Sequence, residues 1–194
     1  MARPREFNRE EALRKAIGVF WAKGFAATTT DDLLEAMKIA RQSLYNTFGD
    51  KRQLYLEALS AYQREVTSAH LGRLNGPSSP IEGVYQLLTG LIAEDARIRS
   101  LGCMGVGSVG EFGTMDNELM NLRANVTTQL SKRVTERILE GQKLGEIKAG
   151  LDPHESSAFV QVTMTGLQLA ARGGGGFEDL RSTARFATEC LRAT

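Results

Sequence analysis

The 194-residue chain reads as all-α, with a small N-terminal three-helix domain joined to a larger helical domain and about nine or ten helices in total. Three observations carry that reading. Apolar residues recur at three- and four-residue steps over most of the chain, and no alternating strand pattern occurs. Helix starts are announced by capping residues at fixed offsets, as in Asn8 with Glu11 and in Asp152-Pro153-His154-Glu155. The stretches between them break at glycine- and proline-rich points.

In order, the first helix starts at Asn8 and carries Leu13, Ala16, Ile17, Phe20 and Trp21 as one apolar stripe, ending at Gly24. At that spacing Trp21 is a packing residue rather than a ligand-binding aromatic. Residues 28–51 then read as two short helices with a tight turn between them and the start of a third. Thr30 can cap the first, and Asp31 and Asp32 suit the positive end of its first turn. Leu33, Leu34 and Met37 give it an apolar side, and Lys38 and Ile39 make the turn. The second short helix runs from about 40 to 47. Leu44 and Phe48 anchor one face, while Arg41, Gln42, Ser43, Tyr45 and Asn46 point away. Such a helix, held by two anchors with hydrogen-bonding side chains outward, suits the major groove of DNA.

Asp50 and Gln53 repeat the capping spacing. A longer helix follows with Leu54, Tyr55, Ala58, Leu59 and Tyr62, extending towards His70. Residues 75–80 are a break, and Pro80 opens a helix whose pattern (Ile81, Val84, Leu87, Leu88, Leu91, Ile92) runs to about Arg99. Residues 102–113 are glycine-rich and apolar. Residues 116–143 are helical, with Leu119, Leu122, Val126, Leu130, Val134 and Ile138 at three- and four-residue steps, and 145–150 is a turn. The helix after Asp152 carries Phe159, Val162, Met164, Leu167 and Leu169 among small residues. Being apolar on nearly every side, it is either buried all round or shared with a partner. A glycine break at 173–176 precedes a last helix, 177–191.

Hydrophobic residues make up 42% of the chain, enough for a core, and the net charge is only +1. Nucleic-acid binding must therefore come from local placement. Arg3, Arg5, Arg9, Arg14 and Lys15, against Glu6, Glu10 and Glu11, form a mildly basic N-terminal arm. Two cysteines, Cys103 and Cys190, make no disulfide framework. No N-terminal stretch resembles a signal peptide and no run approaches ~18 apolar residues, so the expectation is a cytoplasmic protein with no membrane partner.

Candidate chemistry is sparse. Gly105, Gly107 and Gly110 spell a Gly-x-Gly-x-x-Gly, but a dinucleotide site needs a strand before it and an acidic residue ~20 positions on, and neither is present. Those glycines instead suit a closely approached or irregular helix. His70 and His154 lie far apart, with no ligand spacing for a metal. The expectation is no catalytic residue, no metal and no cofactor. Cys103 is the sharper candidate, since Arg97 and Arg99 are near enough in sequence to favour a thiolate. The alternative is an inert thiol used as a small hydrophobe.

The run from about Phe7 to Tyr62 resembles the DNA-binding domain of the TetR family of bacterial transcriptional regulators. The matching pieces are Phe20-Trp21-Ala22-Lys23-Gly24-Phe25, Thr28-Thr29-Thr30, Ser43-Leu44-Tyr45-Asn46-Thr47-Phe48, and Lys51 with Leu54. The remaining two-thirds resembles the family only in size and helicity. The resemblance implies a DNA-binding domain over 1–50 and a ligand-binding and dimerisation domain over 51–194, linked by a helix over about 51–70. It implies a homodimer that reads a palindromic double-stranded operator and is released by a small-molecule inducer. Arg41, Gln42, Ser43 and Asn46 would then read bases, and Thr29, Tyr45 and Lys51 match family positions that hold phosphates. Met104, Phe112 and Met164 are pocket candidates, and the helices at 152–172 and 116–143 are candidate dimer faces. Members that respond to electrophiles or oxidants look similar around Gly102-Cys103, which makes Cys103 a possible redox or electrophile sensor. Two departures stand out: Lys38 where the turn commonly has glycine, and Ala40 where a capping serine or threonine is usual. Outside this resemblance stand two other readings, a helical small-molecule or redox-binding protein that no longer selects DNA and, more remotely, an enzyme using the glycine-rich segment.

Overall fold

A computed structural model describes residues 7–193, and the Arg3 and Arg5 of the basic arm lie outside them. Ten helices follow in order: α1 (Arg9–Lys23), α2 (Thr30–Met37), α3 (Arg41–Phe48), α4 (Lys51–Asn75), α5 (Pro80–Thr89), α6 (Ala96–Leu101), α7 (Met104–Phe112), α8 (Asn117–Lys143), α9 (Pro153–Arg172) and α10 (Phe177–Leu191). Among the described residues the only β pairing is an isolated antiparallel bridge between Ile147 and Arg192.

Side-chain caps set most of the helix starts. Asn8 accepts from the Glu11 amide, Asp50 and Gln53 close a reciprocal capping box, and Asp116 and Asp152 each accept two first-turn amides. The cap of α2 is Thr29, not Thr30: its hydroxyl accepts from the Asp32 amide at 3.0 Å while the Asp32 carboxylate takes the Thr29 amide at 2.8 Å. Thr30 lies three residues before Leu33, which cannot return the bond, and Thr28 is buried with its hydroxyl donating to the Gly24 carbonyl, so Thr29 is the threonine left to pair with an acidic side chain. The helix expected to run to Arg99 stops at Thr89. Gly90 is its C-cap, at a position where a Cβ would lie 2.3 Å from the Arg73 side chain, and Asp95 then caps α6 separately. The glycine-rich segment is a regular helix, α7, and contains Gly105, Gly107 and Gly110.

Two apolar clusters organise the chain. One gathers Leu74, Leu87, Val134, Ile138, Val160, Leu167, Ala184 and their neighbours from α4, α5, α8, α9 and α10. The other gathers Phe20, Leu33, Leu44, Phe48, Leu54, Tyr55 and Leu59 from α1 to α4, and it also takes Met104 and Leu119 from α7 and α8. An aromatic group of Phe20, Phe25, Tyr55 and Phe112, with ring centroids 5.0–6.4 Å apart, sits at that junction. α4 runs through both clusters.

Candidate nucleic-acid interface and adjoining cavity

α3 is fixed from beneath. Leu44 and Phe48 are buried, and the Arg9 guanidinium lies over the Phe48 ring at 4.9 Å while pairing with Glu57 of α4 at 2.6 Å. Above, Arg41, Gln42, Tyr45 and Asn46 are exposed on one face, spaced as two i, i+4 pairs, and Ser43 is half-buried beside them. Gln42 donates to Asn46 at 2.9 Å, and Arg41 pairs with Asp31 of α2 at 2.5 Å. Both are exposed contacts of small worth that a base edge or phosphate can replace. Thr29 is exposed at the α2 cap. Its hydroxyl accepts there, which leaves its own proton to donate. Lys51, the first residue of α4, holds its ammonium 4.3 Å above the Phe25 ring.

Both departures in the turn are visible. Lys38 is the one non-glycine residue with positive φ among the described residues (φ 55, ψ 47). Ala40 occupies the N-cap of α3 in extended backbone and supplies no side-chain bond. The first amides of α3 are therefore left without a side-chain acceptor.

Behind this reader lies a cavity of about 200 Å³ between α4, α7, α8 and α9, with Val66, Val106, Val109, Val126, Leu130 and Met164 among its walls. Its polar lining includes Gln63, Thr67 and His70 from the inner face of α4, with Cys103 at the N-cap of α7. Met164 is thus where a pocket residue was expected. Met104 and Phe112 are not: they turn the other way, into the junction with the N-terminal cluster. Nor is Arg99 placed to support a Cys103 thiolate. Its guanidinium bonds the carbonyls of Ala93, Glu94 and Gly175 and lies over Phe177. What stands beside Cys103 is Tyr62, whose hydroxyl accepts from the Met104 amide at 3.4 Å and whose own ionisation is pushed far up by burial and then by that thiol.

Sequence reasoning missed the contacts that tie cavity to reader. Glu111, two residues beyond the cavity-lining Val109 of α7, accepts from the amides of Phe25 (2.9 and 3.1 Å) and Ala26 (2.9 Å) at the α1–α2 corner. Gly24 makes room for it, since a Cβ there would lie 2.1 Å from the Glu111 carboxylate. Trp21 donates its indole N–H to the Gly102 carbonyl at 3.0 Å and packs 5.3 Å from Tyr62. Trp21 is therefore a structural tie between the two parts.

The model of bacterial regulatory proteins of the tetR family matches residues 12–58, from α1 into α4. The uncharacterised HTH-type transcriptional regulator YezE of Bacillus subtilis is 33% identical over 76% of this chain and 76% of its own. The chain belongs to the TetR family of bacterial transcriptional regulators. The HTH-type transcriptional repressor ComR of Escherichia coli is 24% identical over 94% of this chain and 88% of its own. Among solved structures, a cysteine mutant of the TetR family regulator CifR complexed with 26bp double-strand operator DNA is 29% identical. It covers 98% of this chain and 100% of its own, with a TM-score of 0.80. Among the described residues no helix is long and apolar enough to cross a membrane.

Proposed function

We propose that this TetR-family chain is a repressor that binds a palindromic operator as a homodimer and leaves it when a small molecule fills the cavity behind α4. The observation that carries the reading is α3: two buried anchors beneath an exposed face of Arg41, Gln42, Tyr45 and Asn46. In this reading residues 1–50 are the DNA-binding unit and 51–194 the ligand-binding and dimerising unit. Arg41 and Gln42, with Ser43 and Asn46, read base edges, where arginine suits guanine and glutamine suits adenine. Thr29, Tyr45 and Lys51 hold phosphates and fix register.

The dimer face is the outer side of α9. Val162 is 72% and Leu169 60% exposed, and with Phe159 and Gly166 they form a continuous i, i+3, i+7, i+10 stripe. Phe186 of α10, 72% exposed, supplies the second patch. Of the two helices the sequence offers for this face, this reading keeps 152–172 and pairs it with α10 in preference to 116–143, whose exposed Met120 and Leu139 stand roughly 28 Å apart along the axis. A two-fold dimer sets two α3 helices in successive major grooves, about 34–36 Å apart.

Release follows from shared helices. α4 carries both the first turn behind the reader and the polar floor of the cavity. α7 lines the cavity and, through Glu111, holds the α1–α2 corner. A ligand that binds better when these two helices separate shifts the population away from the DNA-binding arrangement. Cys103 opens onto the same cavity, so thiol modification would act through the same wall.

The test is fluorescence anisotropy with the DNA flanking the protein's own gene, in excess unrelated competitor. Saturation at two or four protomers per site at ~150 mM salt supports the reading. Binding that competitor abolishes refutes it and favours a ligand-binding protein without DNA selectivity. For Cys103, the sensor role fails if Cys103→Ser leaves DNA release by diamide or an alkylating electrophile unchanged.

A further inference from the structure

We infer that the cavity behind α4 selects a small uncharged molecule, about one ring with short substituents, whose hydroxyl or N–H donates to the side chain of Gln63. The inference rests on reading this cavity as the inducer site and adds the class of ligand.

Gln63 is 7% exposed, and its Oε1 is the one buried side-chain nitrogen or oxygen atom without a hydrogen-bond partner among the described residues. A buried orphan of this kind costs roughly 1–3 kcal/mol. An amide oxygen only accepts, so what it lacks is a donor. Gln63 does not stand alone. Thr67 and His70 follow at i+4 and i+7, on the same face of α4, at 7% and 8% exposure. A buried polar stripe on an otherwise apolar helix face needs partners, and the protein supplies few of them.

The charge of the lining narrows the class. His70 Nδ1 lies 3.3 Å from the Arg73 guanidinium. Arginine only donates, so Nδ1 accepts and Nε2 carries the proton. Burial, and then the charge of Arg73, hold the imidazole down at about 4, so the stripe is neutral near pH 7. No carboxylate lines the cavity, so an ammonium group would find no counter-ion. The one permanent charge in the lining is Arg123, and its guanidinium is engaged with the carbonyls of Leu119 and Gly113 at 3.2 and 2.6 Å. A carboxylate would have to compete for it. Size follows from volume: an apolar cavity of ~150 Å³ accepts benzene, and this one is about 200 Å³. The stripe also lies where contact would count most, since all three residues belong to the helix that begins behind the reader.

The experiment is calorimetric titration of the full, DNA-free protein with five matched probes: ethylbenzene, para-ethylphenol, para-ethylacetophenone, para-ethylbenzoate and para-ethylbenzylamine. Emission of Trp21, the chain's one tryptophan and a neighbour of Tyr62, serves as a second readout. The phenol is expected to bind about tenfold more tightly than ethylbenzene, the worth of one donor to a buried orphan acceptor, and more tightly than both charged probes. Gln63→Leu, which replaces an unpaired polar group by an apolar one of similar size, should fold and bring the phenol to within about twofold of ethylbenzene. Gln63→Glu should move the preference to the ammonium probe. The inference is overturned if a charged probe or the acetophenone binds the unaltered protein best. It is overturned equally if Gln63→Leu keeps the preference for the phenol, or if none of the five binds at low-millimolar concentration. Because no DNA is present, failure of operator recognition leaves the result standing. A bound phenol that leaves operator affinity unchanged would refute the inducer reading and not the ligand class.

Discussion

Replacing Glu111 by alanine should unfasten the α1–α2 corner while leaving the rest of the fold in place. The carboxylate accepts from two backbone amides, Phe25 at 2.9 and 3.1 Å and Ala26 at 2.9 Å. Hydrogen bonds to a charged group contribute roughly 1.5–3 kcal/mol when shielded, and because this carboxylate is exposed each donor is set below that range, at about 1 kcal/mol. Two donors give about 2 kcal/mol. At 1.4 kcal/mol per factor of ten, Glu111→Ala should therefore raise local opening about 30-fold. Amide hydrogen exchange followed by NMR reads this directly, with Phe25 and Ala26 losing protection and the amides of α10 unchanged. Gly24→Ala provides the cross-check, since its Cβ would displace the same carboxylate, and Gly24 also holds a φ of 79°. The two substitutions share one contact, so their combined effect should fall short of the sum. Unchanged exchange at Phe25 and Ala26 in Glu111→Ala would refute the latch. So would an equal loss of protection throughout the chain, which would mean that Glu111 only stabilises globally.

Ala40→Ser adds an acceptor for the Ser43 amide at an N-cap whose backbone already has the extended geometry (φ −72, ψ 151). It should stabilise by about 1 kcal/mol and raise Tm by roughly 2–4 °C, measured by thermal unfolding. Lys38→Gly should be near neutral in the same scan, because relief of a left-handed lysine is offset by the extra freedom of glycine in the unfolded chain. Lys51→Ala should weaken binding to operator and unrelated DNA alike and lower the salt slope by about one, whereas Gln42→Ala should relax preference at one base pair, both read by anisotropy against single-base variants. His70 has a folded pKa of about 4, below its value of 6.5 outside the fold. Its contribution is therefore fully present above about pH 6.5 and is lost as pH falls from there towards 4. Denaturant midpoints should drop across that window, and His70→Gln should flatten the drop.

The helical fold and the reader were legible because they are local. The caps at Asn8, Asp50 and Asp152 and the anchors Leu44 and Phe48 act within one or two turns, and residue spacing reports them. The shift from Thr30 to Thr29 at the α2 cap was resolvable in principle, since Asp32 pairs at a spacing of three. The break at Gly90 was hidden because the apolar pattern runs past it, through Leu91 and Ile92. What the pattern does not report is the Arg73 side chain, a tertiary neighbour that fills the space a Cβ at position 90 would need. Gln63, Thr67 and His70 look like ordinary solvent-facing positions of a long helix, and only the packing of α7, α8 and α9 over them makes them a buried stripe. Their i, i+4, i+7 spacing was the available signal. Glu111 gave none, because its partners lie about 86 residues earlier. Residue type alone points Met104 and Phe112 at a pocket, whereas the direction of α7 turns them into the neighbouring core.

That packing of Met104 and Leu119 into the N-terminal cluster bears on how such regulators can be recombined. A fragment ending near residue 50 would lack not only Leu54, Tyr55 and Leu59 but also these two plugs, which are 3% and 0% exposed. Each lost plug of this kind leaves a void worth roughly 2–5 kcal/mol in a core of modest size. A chimera that grafts this reader onto a foreign sensor must therefore carry a matching methionine and leucine on the incoming helices. The junction between modules is a surface to be transplanted with them, and no single cut in the chain separates it.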